Sequence, residues 1–208
     1  CFTPEQCVYA ISVSHPDKVY RDRTVDFFNQ HIEAAVQLDC DHMVVSTGFA
    51  YLDVDAEDAF GWCAEAMGRI ARKAEQEGVT LAVEPFTKYT THICNEASQL
   101  RRLLRTVNSP RLTGLADTDV IATTAVDTFS TFLDVIGPEN LGHVHFVDGN
   151  PGGHLVPGDG VLDLDGALEK LKAIHYTGAL GLEVLDRRYV FAPEAAMRQA
   201  MDWYKERI

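Results

Sequence analysis

The sequence is short of positive charge. Its 18 lysines and arginines face 31 aspartates and glutamates, a formal net charge of −13. A nucleic-acid binder needs a basic face to neutralise phosphates, and none can be drawn here. The same excess of negative charge excludes docking on an anionic membrane surface. No apolar run reaches the roughly 20 residues of a membrane span, and no secretory leader pattern opens the chain. Cysteines number five (Cys1, Cys7, Cys40, Cys63 and Cys94), with no CxxC spacing. They read as reduced thiols of a cytoplasmic protein, with Cys40 and Cys63 as small core residues in helical patterns. A Gly-x-Gly-x-x-Gly dinucleotide fingerprint and a Gly-Lys-Ser/Thr phosphate loop are both missing.

What remains is an ordinary globular composition, 46% hydrophobic and 24% charged, in 208 residues. Apolar segments alternate between strand-like and helix-like patterns. The spacing predicts helices over 24–39, 55–78, 95–107, 126–136 and 164–175, with a last helix opened by Pro193. Asp55 and Asn95 are the expected N-caps, Gly78 and Gly137-Pro138 the expected stops. Short apolar strands are predicted at 42–48, 79–85, 112–117, 141–147 and 179–183. Strands alternating with helices imply a parallel sheet with crossover helices in one α/β domain.

Two architectures fit, a doubly wound open sheet and a (β/α)8 TIM barrel. Polar residues fall at the C-terminal ends of consecutive strands, where a barrel places its site, so a TIM barrel is expected. The chain opens on Cys1-Phe2-Thr3-Pro4 and supplies five strand–helix units. Barrels usually need about 250 residues, so the first two to three βα units, roughly 60–80 residues, are expected to be lacking.

Four strand ends carry one candidate each: Glu84, Asp117, His145 and Glu183. An ionised carboxylate after an apolar run is costly unless it is paired or bound to a cation. One such carboxylate is usually a cap, and one such histidine usually a core residue; four on successive strands point to a metal site. Three carboxylates and one imidazole suit Mn2+, Mg2+ or Co2+ better than a thiolate-seeking metal. His143 shares a strand face with His145 and is expected to pack behind it. Asp119 competes with Asp117, which directly follows the apolar run. The glycine-rich loop from Asp148 to Gly160 brings Asp148 and His154 within reach of a polyol, and Tyr89 stands in a second loop at the same face.

The runs Val-Glu-Pro-Phe-Thr-Lys-Tyr (83–89), His-Val-His-Phe-Val-Asp (143–148), His-Leu-Val-Pro-Gly-Asp-Gly (154–160) and Tyr-Thr-Gly-Ala-Leu-Gly-Leu-Glu (176–183) resemble the sugar phosphate isomerase/epimerase superfamily, the xylose isomerase-like TIM barrels. Within it the likeness is to fructoselysine 3-epimerase and, further off, to ketose 3-epimerases. Phe2-Thr3-Pro4-Glu5 looks like the end of that family's third strand. The resemblance implies one divalent ion on Glu84, Asp117, His145 and Glu183, with Glu84 and Glu183 as acid and base for C3 epimerisation through an enediolate. It also implies a sugar substrate and a dimer or tetramer; Tyr89, Asp119, Asp148 and His154 are the expected substrate contacts. Val120, Thr90 and Pro151 stand where ketose 3-epimerases usually carry substrate-contacting histidine, glutamate and arginine. A substituted, Amadori-type sugar therefore fits better than a free ketose. Aldose–ketose isomerisation or dehydration at the same site, an endonuclease-IV-like phosphodiesterase and a non-catalytic sugar binder are the alternatives, the second opposed by the net charge.

Overall fold

A computed structural model of the chain describes residues 11–49, 51 and 53–207. The expected strand end at Phe2–Glu5, together with Cys1 and Cys7, lies outside the described residues. Among these there are seven α-helices and five strands: α1 Lys18–Gln37, β1 His42–Ser46, α2 Ala56–Glu77, β2 Thr80–Glu84, α3 Ala97–Val107, β3 Leu112–Asp117, α4 Thr118–Thr124, α5 Phe129–Ile136, β4 Leu141–His145, α6 Leu164–Ala173, β5 Leu180–Gly181 and α7 Pro193–Lys205.

The strands form one parallel sheet in the order β1-β2-β3-β4-β5. This order separates the two architectures that the sequence leaves open. A doubly wound sheet reverses its strand order at a switch point, whereas each strand of a barrel pairs with the next in sequence.

Helix α2 shows why these segments fold as they do. Asp55 caps it by accepting the N–H groups of Glu57 and Asp58, and Gly78 ends it in the left-handed conformation at φ 77°. Between them Phe60, Cys63, Met67, Ile70 and Ala74 line one buried stripe. On the sheet side, Leu81, Ala82 and Val83 of β2 are all buried, as expected of a strand covered on both faces.

Several boundaries differ from expectation. Helix α1 starts six residues before Thr24, capped by Asp17. It also ends sooner, and Asp39 turns left-handed at φ 54°. Leu38 and Cys40 are therefore exposed, so Cys40 is not a core residue. Asn95 does not cap α3. The cap position is Glu96, without a side-chain bond, and the Ala97 N–H donates instead to Asp127, thirty residues on. The expected helix at 126–136 is shorter, because Thr128 and Thr131 form a capping box that starts α5 at Phe129. Helix α4, not expected at all, begins directly behind Asp117.

Candidate metal centre

Parallel register brings the site together. Asp117 on β3 lies beside His145 on β4, and His145 lies beside Gly181 on β5. On β2, Glu84 pairs in register with Ser46 of β1. One ligand atom from each of Glu84, Asp117, His145 and Glu183 lies within 4.8 Å of all the others. A cation with ligands at about 2.0–2.2 Å would hold opposite ligand atoms about 4–4.4 Å apart, so small adjustments close this set around one ion. The ring Nδ1 of His145 is 2.9 Å from Glu84 Oε1, 3.2 Å from Glu183 Oε2 and 3.5 Å from Asp117 Oδ2.

Asp117 divides its two oxygens. Oδ1 caps α4, accepting the N–H groups of Asp119 and Val120 at 2.8 and 2.7 Å. Oδ2 is buried without a hydrogen bond, and the nearest imidazole nitrogens stand at 3.3 and 3.5 Å. A buried carboxylate oxygen left so is costly unless a cation meets it. The donor set therefore fits a divalent ion of oxygen-preferring type.

The charges are strongly coupled. Burial opposes ionisation of Asp117, but His145 and His154 outweigh it and hold its pKa down to about 2. Burial also opposes a charged His145, and Asp117, Glu183 and Glu84 together reverse that, lifting it to about 11. Glu84 is pushed above the usual carboxylate range by burial. A cation bound by this set would release protons.

Two supporting residues escaped the sequence reading. The hydroxyl of Thr118 donates to the Val147 carbonyl at 2.6 Å and accepts the Val147 N–H at 2.9 Å, tying the ends of β3 and β4 together behind Asp117 and His145. Gly181 makes room for the imidazoles, since a Cβ there would lie 2.9 Å from His143 Nε2 and 3.1 Å from His145 Cδ2. Neither has a sequence signal beyond its place at a strand end. His143 packs edge-on against His145, with ring centroids 5.3 Å apart, as expected.

The four expected substrate contacts are placed differently from one another. His154 joins the cluster, its Nε2 3.3 Å from Asp117 Oδ2 and 3.6 Å from Glu183 Oε2. Asp119 is buried beneath it, its Oδ2 3.1 Å from His154 Nδ1. The Asp148 carboxylate accepts the N–H groups of Gly149, Gly158, Gly160 and Leu162, organising the glycine-rich loop from within. Tyr89 is 79% exposed under the Lys88 ammonium, at the surface rather than among the carboxylates.

The xylose isomerase-like TIM barrel family model matches residues 3–207. Fructoselysine 3-epimerase of Shigella flexneri is 26% identical over 206 residues, covering 98% of this chain and 74% of the relative. Ketose 3-epimerase of Arthrobacter globiformis is 30% identical over 118 residues, covering 57% of this chain and 39% of the relative. Among solved structures, 3-keto-D-glucoside 4-epimerase from E. coli superposes with a TM-score of 0.84 at 19% identity, covering 95% of this chain and 76% of that one. At that identity the likeness speaks for the fold. Among the described residues no helix is long and apolar enough to cross a membrane.

Proposed function

The chain belongs to the xylose isomerase-like TIM barrel family, and we propose that it is a divalent-metal-dependent sugar epimerase acting at the carbon beside a carbonyl. The observation that carries this reading is the four-residue cluster at the ends of four consecutive strands. The names of the relatives supply the reaction class, inversion at C3 of a ketose or ketose-like sugar.

A divalent ion, Mn2+ in the first instance, would draw electron density from the carbonyl and neighbouring hydroxyl of the sugar and make the C–H between them acidic. The protein's own residues then have distinct tasks. Glu84 and Glu183 come from strands separated by β3 and β4, so they approach the reacting carbon from different sides. One carboxylate, ionised, removes the proton, and the other, already protonated, donates its own proton to the opposite face, which inverts the centre and leaves the two groups with exchanged protonation states. Asp117, fixed by its role as helix cap, supplies charge and does not move. His154, on the glycine-rich loop, meets the sugar's oxygens. Substitution of the usual ketose contacts by Val120, Thr90 and Pro151 favours a sugar carrying an amine-linked or other substituent.

In 2H2O, a chain that acts this way exchanges the substrate C–H for deuterium, followed by NMR on a panel of ketoses and fructosamines. Glu183→Gln should abolish epimerisation and the exchange of the epimer whose proton Glu183 removes. Full exchange of that epimer in Glu183→Gln would overturn the acid–base assignment, and product analysis in the same tubes separates epimerisation from aldose–ketose isomerisation.

A further inference from the structure

The loop that carries His154 is held in an unusual shape. Gly152, Gly153 and His154 all have positive φ, at 93°, 110° and 48°. Glycine adopts such angles freely, but histidine there is strained and persists only when its surroundings enforce it. The enforcing group is Asp119, which is 1% exposed. Its Oδ1 accepts the Gly152 N–H at 2.5 Å and its Oδ2 accepts the His154 N–H at 3.0 Å. Two amides spaced i and i+2 in such a conformation form a concave nest for an anion, and here the anion is the protein's own carboxylate. The same Oδ2 lies 3.1 Å from Nδ1 of His154. The other ring nitrogen is thereby turned toward the cluster, 3.3 Å from Asp117 Oδ2. The fit is close on the other side too, because a Cβ on Gly149 would fall 1.9 Å from Asp119 Oδ1.

We propose that Asp119 is the positioning residue of this site: it locks residues 149–154 onto the end of β3 and aims Nε2 of His154 at an oxygen of the bound sugar. Asp119 does not itself touch the sugar; among the described residues its side-chain oxygens meet Gly152 and His154 of the loop. The loop is thus prebuilt rather than a lid that closes on substrate. This deepens the epimerase reading, on which the sugar rests; the anchoring of the loop does not depend on it.

Three variants test the proposal in the intact chain: Asp119→Asn, His154→Ala, and Gly149→Ala, which displaces the carboxylate without removing it. Hydrogen exchange is read at Gly152 and His154, Mn2+ affinity by electron paramagnetic resonance, and kcat and KM on whichever sugar the deuterium screen identifies. Asp119→Asn and Gly149→Ala should speed exchange of those two amides at least tenfold while β2 and β3 keep their protection. Mn2+ affinity should change less than threefold, and KM should rise tenfold or more. Adding Asp119→Asn to His154→Ala should cost nothing further in kcat/KM, because the first residue acts through the second. Unchanged exchange at Gly152 and His154 in both Asp119→Asn and Gly149→Ala would overturn the anchor. Additive losses in the double variant would overturn the positioning role. If no sugar is turned over, the epimerase reading fails while the exchange experiment still decides the anchor.

Discussion

Glu84, Asp117 and His145 stand on strands whose last residues are fully covered, whereas Glu183 follows a two-residue strand of half-buried side chains. Around β2–β4, Leu81, Leu115, Val144 and Phe146 are all buried. Beyond β5, Leu185, Val190 and Phe191 are exposed, Phe191 at 96%. Three members of the cluster are therefore set by a packed core, and the fourth by a thinly covered segment. The difference separates three donors held by the core from a fourth that stands at the sheet edge with its side chain 14% exposed, the one whose surroundings an ion is expected to tighten most.

The largest expected effect concerns that packing. Leu81→Ala or Leu115→Ala removes a fully buried side chain and should cost about 2–5 kcal/mol of unfolding free energy, read from urea titration. Leu185→Ala and Phe191→Ala should each cost under about 0.5 kcal/mol. Equal costs in the two regions would erase the contrast.

An intermediate effect should follow from adding the ion. At a hundredfold excess over its dissociation constant, Mn2+ should raise unfolding free energy by about 2.7 kcal/mol. Hydrogen exchange should then slow more at residues 181–184 than at 81–84, because the first segment has order still to gain. Uniform slowing would mean that the segment after β5 is already as rigid as β2.

The smallest effect is chemical rather than energetic. Cys63 and Cys94 are buried, and burial pushes the Cys63 thiol up to about 12 and the Cys94 thiol upward as well. Cys40 is exposed. Iodoacetamide should label Cys40 within minutes and leave Cys63 and Cys94 unmodified in the folded chain, as followed by peptide mass spectrometry. Labelling of Cys63 at a comparable rate would show that the α2 core opens readily.

Much of this was legible in the sequence, for physical reasons. Parallel strands buried on both faces write themselves as apolar runs, so β3 was delimited to the residue. The four candidate donors follow those runs directly. Helix stops were read where glycine marks them, as at Gly78. The rest depended on contacts far apart in sequence. Asp127 caps α3 from thirty residues away, and no local pattern shows it. No local pattern shows that the Asp148 carboxylate gathers four loop amides, or that Tyr89 lies at the surface. Asp119 looked like a rival of Asp117 because both share a strand face; in the fold the chain turns into α4 between them, and each carboxylate takes a separate task.

The cluster itself is tested most directly by counting bound Mn2+ with electron paramagnetic resonance, in the intact chain and in Asp117→Asn. One ion per chain, lost or weakened at least a hundredfold in the variant, is the expected result. An intact chain that binds no divalent ion, or a variant that binds as tightly as the parent, would contradict the assignment of Glu84, Asp117, His145 and Glu183 as a metal centre.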